Sequence, residues 1–491
     1  MHTFLRNVTL VLIMILIFGS DVTAGEYEDF LKGELDSFQS YKDERDAEFI
    51  GFLKEQWVEF QVNQGIRRDV EPKPVKLPIA KPVKTDPVSV DKSKKIKKII
   101  VPKYVSTKKT AIKPVDDTTS QTGTKPKALE IDFYSTKIVL YGSYKFPEVT
   151  KGAVDKKLIT NFWDKMSQLD YDSIIKQVQI IKREIKLNDW GYHHVLYRIG
   201  MKQFAMNKNM ANMFVWYMSS KSGYESRIGY DKTKIYLLMP SRNRLFSVPF
   251  LTLKSQKYYS ITFDSKPEKF KSLYTYKGQY PKANKLMDYR ILDSPQLEKN
   301  IKGKTLSFKY MQKKYSVRTQ FNKNLVGFFK YYPQTNIKVY FEALTSAETE
   351  YALIKSLKPI IENKTEAEAV NILLRFVQKA FKYKTDDVQF GREKYLLMEE
   401  TLYYPYSDCE DRSIFFAYLV KKLVGLDVVG LDYPGHIATA VKFSNNFSGD
   451  YIVRNNKKYM VCDPTYINSK LGMAMPKFKK LKPKIVRINS L

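Results

Sequence analysis

One pattern in this chain returns about 200 residues later. Ile174-Ile175-Lys176-Gln177-Val178-Gln179-Ile180-Ile181-Lys182, with a turn ending Asp189-Trp190-Gly191, is echoed by Ile372-Leu373-Leu374-Arg375-Phe376-Val377-Gln378-Lys379, with a turn ending Gln389-Phe390-Gly391, at shifts of 198 and 200. Met213-Phe214-Val215-Trp216-Tyr217 is echoed by Phe415-Phe416-Ala417-Tyr418-Leu419 at a shift of 202. Self-similarity at a long interval restricts a chain to architectures in which one unit is built twice. Two unrelated α+β domains with coincident patterns are the alternative. A shift of 202 sets Gly223 against Gly425 and Gly229 against Leu431, one position past Gly430.

The boundaries follow from composition. Arg6 precedes an apolar stretch from Val8 to Phe18, and Val22-Thr23-Ala24 supplies small residues before Gly25, so residues 1–24 read as a cleaved export signal. The apolar run is shorter than the roughly 20 residues a membrane span needs, and no later segment approaches that length. Residues 25–68 read as an amphipathic helical segment, a hairpin in outline, with Phe30, Leu35, Phe49, Leu53, Trp57 and Phe60 on one stripe. Residues 69–128 hold eight prolines, fifteen lysines and six acids. That composition buries too little to offset the entropy of ordering and predicts an extended linker, with patches such as Ile99-Ile100-Val101 able to dock as isolated strands.

The remaining 360 or so residues exceed one core and imply a multidomain α+β chain. The expected divisions are a first unit at 129–270, a β-rich region at 271–345 and a second unit at 346–491. In the β-rich region, Thr305–Tyr310, Tyr315–Thr319, Leu325–Tyr332 and Asn336–Phe341 are aromatic and β-branched, and predict an antiparallel sheet. Helices are predicted at about 346–358 and 366–381, the second opened by a Thr365/Glu368 capping box.

Chemistry concentrates near the end. Cys409, His436 and Asp463 follow one another at intervals of 27 and 27 residues. Asp408-Cys409-Glu410-Asp411 opens an apolar helix pattern, His436 begins an alternating run behind the turn Pro434-Gly435, and Asp463 ends another run before Pro464. A thiol needs a base within hydrogen-bond reach, and the imidazole needs a third group to set its tautomer. A helix start favours the thiolate, and the neighbouring acids oppose it. A Cys409–Cys462 disulfide competes with this reading, although residues 462 and 463 should face opposite sides of a strand.

Asp408-Cys409-Glu410-Asp411, Pro434-Gly435-His436 and Cys462-Asp463-Pro464-Thr465 resemble, in order, the three signature blocks of the transglutaminase-like branch of the papain-like superfamily. The likeness spans roughly residues 363–470, with Ser407 standing where bacterial relatives often have glycine. The resemblance implies a papain-like core, with Cys409 as nucleophile, His436 as general base and acid, and Asp463 as orienting group. It leaves peptidase, amidase and transamidase open. Tyr406 is a candidate oxyanion donor by proximity to the backbone N–H of Cys409. In the first unit, the shift of 202 puts Asn207 at the cysteine's place and Lys234 at the histidine's, so that copy is expected to be degenerate.

The expected activity is that of an exported cysteine amide hydrolase, a peptidase acting on an envelope or extracellular polypeptide, located in the periplasm or secreted. Thioester resolution by an amine in place of water makes a transamidase, and a non-catalytic envelope scaffold that binds a peptide or glycan is the competing function. No cofactor is implied. His193 and His194 lack further ligands for a metal. The net charge of +31 favours an anionic envelope surface or glycan as partner, while export and the absence of any nucleic-acid motif speak against nucleic acid.

Overall fold

The computed structural model describes residues 24–68, 73–81, 94–102, 128–142, 144–148 and 153–489. The expected export signal, Ala24 apart, and much of the Lys/Pro-rich segment lie outside the described residues. Among those described, no helix is long and apolar enough to cross a membrane. The chain divides into Met1–Gln56 and a compact unit Trp57–Leu491. In the first, Ala24–Glu55 is one continuous helix where a hairpin was expected.

The larger unit is a mixed α+β fold with several sheets and helices. Strand β1 (Trp57–Gln61) lies in a stretch expected to be helical, but its alternating Trp57, Val58 and Phe60 pair with a sheet edge. A hairpin of β2 (Ala128–Phe133) and β3 (Thr136–Tyr141) precedes the helices Lys156–Ser167, Tyr171–Glu184, Asp189–Gln203 and Lys208–Lys221. Strands β4 (Arg227–Tyr230), β5 (Ile235–Pro240), β6 (Phe250–Leu253), β7 (Gln256–Ser260) and β8 (Ser272–Tyr276) complete the first sheet, in the order β1-β8-β4-β5-β7-β6.

A long hairpin, β9 (Ile301–Tyr310) with β10 (Lys313–Asn322), opens the second half. The two strands expected next are helices, Lys323–Phe329 and Ile337–Phe341. Their residue types favour strands, yet Leu325, Val326, Phe328 and Phe329 are spaced to bury one helical face, and the Asn322 side chain accepts from the Asn324 N–H to start the turn. Helices Ala347–Ile361 and Glu366–Ala380 follow as expected, the second capped by Thr365. Short strands β11 (Lys382–Tyr383) and β12 (Tyr406–Ser407) pair in parallel just before the helix Cys409–Leu419. Strands β13 (Asp427–Tyr433), β14 (His436–Lys442), β15 (Tyr451–Arg454), β16 (Lys457–Cys462) and β17 (Lys484–Arg487) form the last sheet, ordered β15-β16-β14-β13-β17.

Five strands of each sheet share one antiparallel plan, β8-β4-β5-β7-β6 against β17-β13-β14-β16-β15. The recurrence is at 201 residues: helix starts at 208 and 409, and hairpin strands at 250–253 and 451–454, with Leu253↔Gln256 matched by Arg454↔Lys457. In both halves the helix packs chiefly on the central strand of the plan, β5 or β14. The 202 seen in the sequence arises inside that helix. Val420–Val424 is a π turn, a structure that takes up one extra residue, so the closing left-handed glycines, Gly223 and Gly425, lie 202 apart. The interval stays at 202 through the first hairpin, where Met239↔Tyr259 is matched by Val441↔Met460 and Arg227↔Leu238 by Val429↔Ala440, and it returns to 201 in the last hairpin.

Parts of the expected linker are docked. Ala80 N–H donates to Ile467 O at 2.7 Å, Glu366 N–H donates to Lys94 O at 2.8 Å, and Ile99 is buried. The body presents unpaired backbone groups there, and each short strip of linker needs only two or three hydrogen bonds to seat.

Candidate active site

The helix Cys409–Leu419 is buried along its whole length, its polar residues Glu410, Asp411, Arg412 and Ser413 included. Burying that many charged groups is costly unless each is paired, so they mark a site more sharply than the apolar residues do. Ser413 Oγ, one turn after Cys409, donates to the carbonyl of Ile437 at 3.0 Å, which ties the helix start to the start of β14. His436 begins that strand, behind Pro434 and the left-handed Gly435. Asp463 follows β16, whose Cys462 pairs with Thr439 of β14. The helix is thus tied to β14 through Ser413, and β14 to the end of β16 through the Thr439–Cys462 pair.

His436 Nε2 is 2.9 Å from Asp463 Oδ2. The other carboxylate oxygen accepts from the N–H groups of Thr465 and Tyr466 at 2.9 and 3.2 Å. Gln378 Nε2 donates to the carbonyls of Tyr466 and Ser469 at 2.9 and 3.2 Å, and so holds the loop that presents the aspartate. The imidazole stacks on Phe478, ring centroids 4.8 Å apart. With Nε2–H directed at the aspartate, the buried Nδ1, which has no hydrogen-bond partner among the described residues, keeps its lone pair as an acceptor.

Cys409 is fully buried, and its Sγ donates to Glu410 Oε2 at 2.9 Å. Among the described residues no hydrogen bond joins the thiol to His436. Burial above all, then the Glu410 and Asp408 carboxylates, push the thiol well above its ordinary value, although Lys73 opposes them. Burial and the acids thus work against the expected activation of the thiol by its helix start. Both cysteines are free, so Cys409 and Cys462 form no disulfide.

The acids beside the thiol are gathered around a residue from far upstream. Lys73 Nζ lies 2.9 Å from Asp408, Glu410 and Glu393, and 3.4 Å from Asp386, with its side chain 4% exposed. Arg68 reaches Glu410 and Asp432 at 3.1 and 3.2 Å. Burial disfavours the ionised Glu410, but Lys73, Arg68 and the thiol's hydrogen bond hold its carboxyl well below the usual range. Burial pushes Asp386 and Asp408 well up, and Asp411 up to about 7. Oxygens of Asp386, Asp408 and Asp411 lie within 4.8 Å of one another, the one grouping among the described residues with a cation's donor set. Lys73 already brings positive charge to two of its members.

Tyr406, the expected oxyanion donor, sits in β12 with Lys384 Nζ 4.1 Å from its ring centroid, and no hydrogen bond joins it to the thiol among the described residues. Tyr383 stands closer to the chemistry. Burial, then the neighbouring thiol, Asp408 and Glu410, raise its phenol, and its hydroxyl donates to Pro74 O at 2.7 Å. Sequence reasoning missed Tyr383, Lys73, Arg68, Gln378 and Phe478. For Lys73 there was no signal at all, since it is one of fifteen lysines in its segment.

At the same topological place in the first half, Asn207, Lys208, Lys234 and Thr262 line a cleft of about 290 Å³. Asn207 caps its helix as Asp408 precedes the other. An interval of 201 at the helix start sets Lys208 against Cys409, and 202 in the next strand sets Lys234 against His436 as expected, with Asn212 Nδ2 donating to Ile235 O as Ser413 Oγ donates to Ile437 O. After the last hairpin, 201 sets Thr262 against Asp463. Lys208 pairs with Asp264 at 3.4 Å, and Lys234 pairs with Glu268. His193 and His194 are buried, the first with Nδ1 2.7 Å from Asp189 O, the second packed edge-on against Trp190 and Phe133.

In comparisons with known proteins, no family model, no curated protein and no solved structure matches the chain.

Proposed function

We propose that this is an exported cysteine amide hydrolase, a peptidase acting on an envelope or extracellular polypeptide, with a transglutaminase-like unit built twice and catalysis retained in the second copy. The observation that carries the reading is the buried His436–Asp463 pair with a lone pair left on Nδ1, at the sheet end onto which the Cys409 helix is tied. In the working state the Cys409 thiol leaves Glu410, gives its proton to His436 Nδ1 and attacks an amide carbonyl. The imidazolium, held by Asp463, protonates the departing amine, and water, deprotonated by the same imidazole, resolves the thioester. The oxyanion is met by the Cys409 N–H and a side-chain donor, for which Tyr383 is better placed than Tyr406. The scaffold reading draws on the buried thiol, and transamidation uses the same three residues with an amine as acceptor.

Wild type, Cys409→Ala and His436→Ala are incubated with the native envelope proteome under reducing conditions, and new N-termini are mapped by mass spectrometry. Cleavages confined to wild type support the peptidase. New isopeptide crosslinks move the assignment to a transamidase. Identical termini and crosslinks from three folded proteins overturn catalysis in favour of the scaffold.

A further inference from the structure

The segment that delivers Lys73 lies on the body of the protein as a bound peptide does. Between residues 73 and 81 only Lys73 and Ala80 are buried, while Val75 and Ile79 are 77% and 68% exposed. A strand belonging to the core would bury such residues; this one rests on the surface and inserts two side chains. Pro74 and Pro78 keep it extended and remove backbone donors, and its remaining backbone bonds are those an added strand makes. Ile467 N–H donates to Pro78 O at 2.9 Å, Ala80 N–H to Ile467 O at 2.7 Å, and Tyr383 OH to Pro74 O at 2.7 Å.

The two inserted side chains bracket the proposed catalytic residues. Lys73 enters the acids that surround Cys409. Ala80 enters an apolar cluster that includes Tyr433, Tyr466 and Phe478, the ring on which His436 stacks. One oxygen of the fully buried Asp408, Oδ1, has no hydrogen-bond partner among the described residues even with Lys73 seated, so the pocket keeps an unused polar atom beside the chain's own lysine. Ala80 is small enough for a shallow apolar seat, whereas the Lys73 pocket is deep and charged, and discrimination belongs to the latter.

We propose that residues 73–81 fill, in cis, the groove in which this site takes its polypeptide, and that the pocket formed by Asp386, Asp408 and Glu410 recognises a lysine side chain on an extended, proline-tolerant segment. The inference rests on the active-site reading for what the groove serves, but lysine binding itself requires no turnover. Substrates of the site carry a lysine next to the attacked amide and a small residue some seven positions away, and they compete with the chain's own segment for the groove.

The test uses full-length Cys409→Ala and the double variant Cys409→Ala/Lys73→Ala, with a fluorescein-labelled peptide of residues 73–81 as the probe, read by fluorescence polarisation. The double variant binds the peptide at least about tenfold more tightly than Cys409→Ala does, because its own lysine no longer competes. Replacing the first lysine of the peptide by norleucine weakens binding by a factor of about ten or more, and binding falls with added salt. Equal affinity for the norleucine peptide overturns the lysine assignment. No binding by a folded double variant overturns the groove. Should the double variant fail to fold, hydrogen exchange on the Cys409→Ala protein decides. Exchange of the Ala80 and Ile467 amides, which bond across this contact, well before those of β14 sustains a displaceable occupant, and exchange only with global unfolding shows a fixed part of the fold and ends the proposal. Because Cys409 is absent throughout, failure here is separable from failure of the peptidase reading, which the proteome experiment judges alone.

Discussion

The two halves of the large unit share a strand plan, a hairpin register and a helix laid on the same strand, yet their cleft ends differ in kind. Where the second half carries Cys409, His436 and Asp463 among buried acids, the first carries Lys208, Lys234 and Thr262, with Lys208 60% exposed and paired to Asp264. The shared features are those backbone pairing and apolar packing demand; the divergent ones have no part in holding the sheet. At the end with candidate chemistry buried acids crowd together, and they are met there by cations from residues 68 and 73.

The contrast predicts its largest effect at the two lysines. Lys73→Ala leaves buried carboxylates without their counter-charge and is expected to destabilise the large unit by about 3–5 kcal/mol. Lys208→Ala, which breaks a surface pair, costs less than about 1 kcal/mol. Urea titrations of both variants measure this, and equal losses would break the distinction between a buried and a solvated helix start.

Acid and base should act oppositely on the two halves. Burial holds His193 down at about 4 and His194 well below the usual 6.5. The unfolded chain therefore binds more protons between pH 6.5 and about 4, and the first half loses stability as pH falls through that window, by about 3 kcal/mol for His193. Burial raises Asp411 from 3.8 to about 7 and Asp386 and Asp408 upward as well, so there the folded state holds the extra protons. The second half loses stability as pH rises from about 4 to 7. The depressed Glu410 acts only below about pH 4.5, and the raised Lys73 only above about 10.5, outside this range. Hydrogen exchange of helices Asp189–Gln203 and Cys409–Leu419, followed against pH and corrected for intrinsic rate, should show slopes of opposite sign.

The smallest effect tests the shared plan itself. A methyl group at Gly430 would lie 2.8 Å from the Phe341 ring and 3.2 Å from Val486 Cβ, and one at Gly229 would lie 2.7 Å from a terminal methyl of Leu273. Both glycines let a flanking element close over the first strand. Gly430→Ala is expected to cost about 1–3 kcal/mol, and Gly229→Ala about 1 kcal/mol, since a leucine tip yields more easily than a ring. Thermal melts that leave either variant unchanged would remove that glycine from the plan.

Strands at 325–332 and 336–341 were misread because residue type spoke for strands while the apolar spacing, over so few residues, fitted a helical face as well. Trp57–Gln61 was misread in the other direction, as the end of a helical stripe, because its partner β8 lies more than 200 residues away. The ordered Cys409, His436 and Asp463, by contrast, were visible as a set, each sitting at an element boundary that its own neighbours announce.

What the sequence determined by itself is therefore local or periodic: the α+β alternation, the cap at Thr365, the Pro434-Gly435 turn, the order of three reactive residues and a recurrence near 200. Such features arise from residues within a turn or two of each other, or from spacings that packing must respect. Only the tertiary structure decided that the interval is 201 at the helix start and 202 after a π turn takes up one residue, that the thiol donates to Glu410, and that Lys73 lies in the acid pocket 335 residues upstream of Asp408. The charge state of a buried group depends on everything folded around it, and a lysine among fifteen acquires its meaning from the carboxylates that the fold, and not its own neighbours, brings to it.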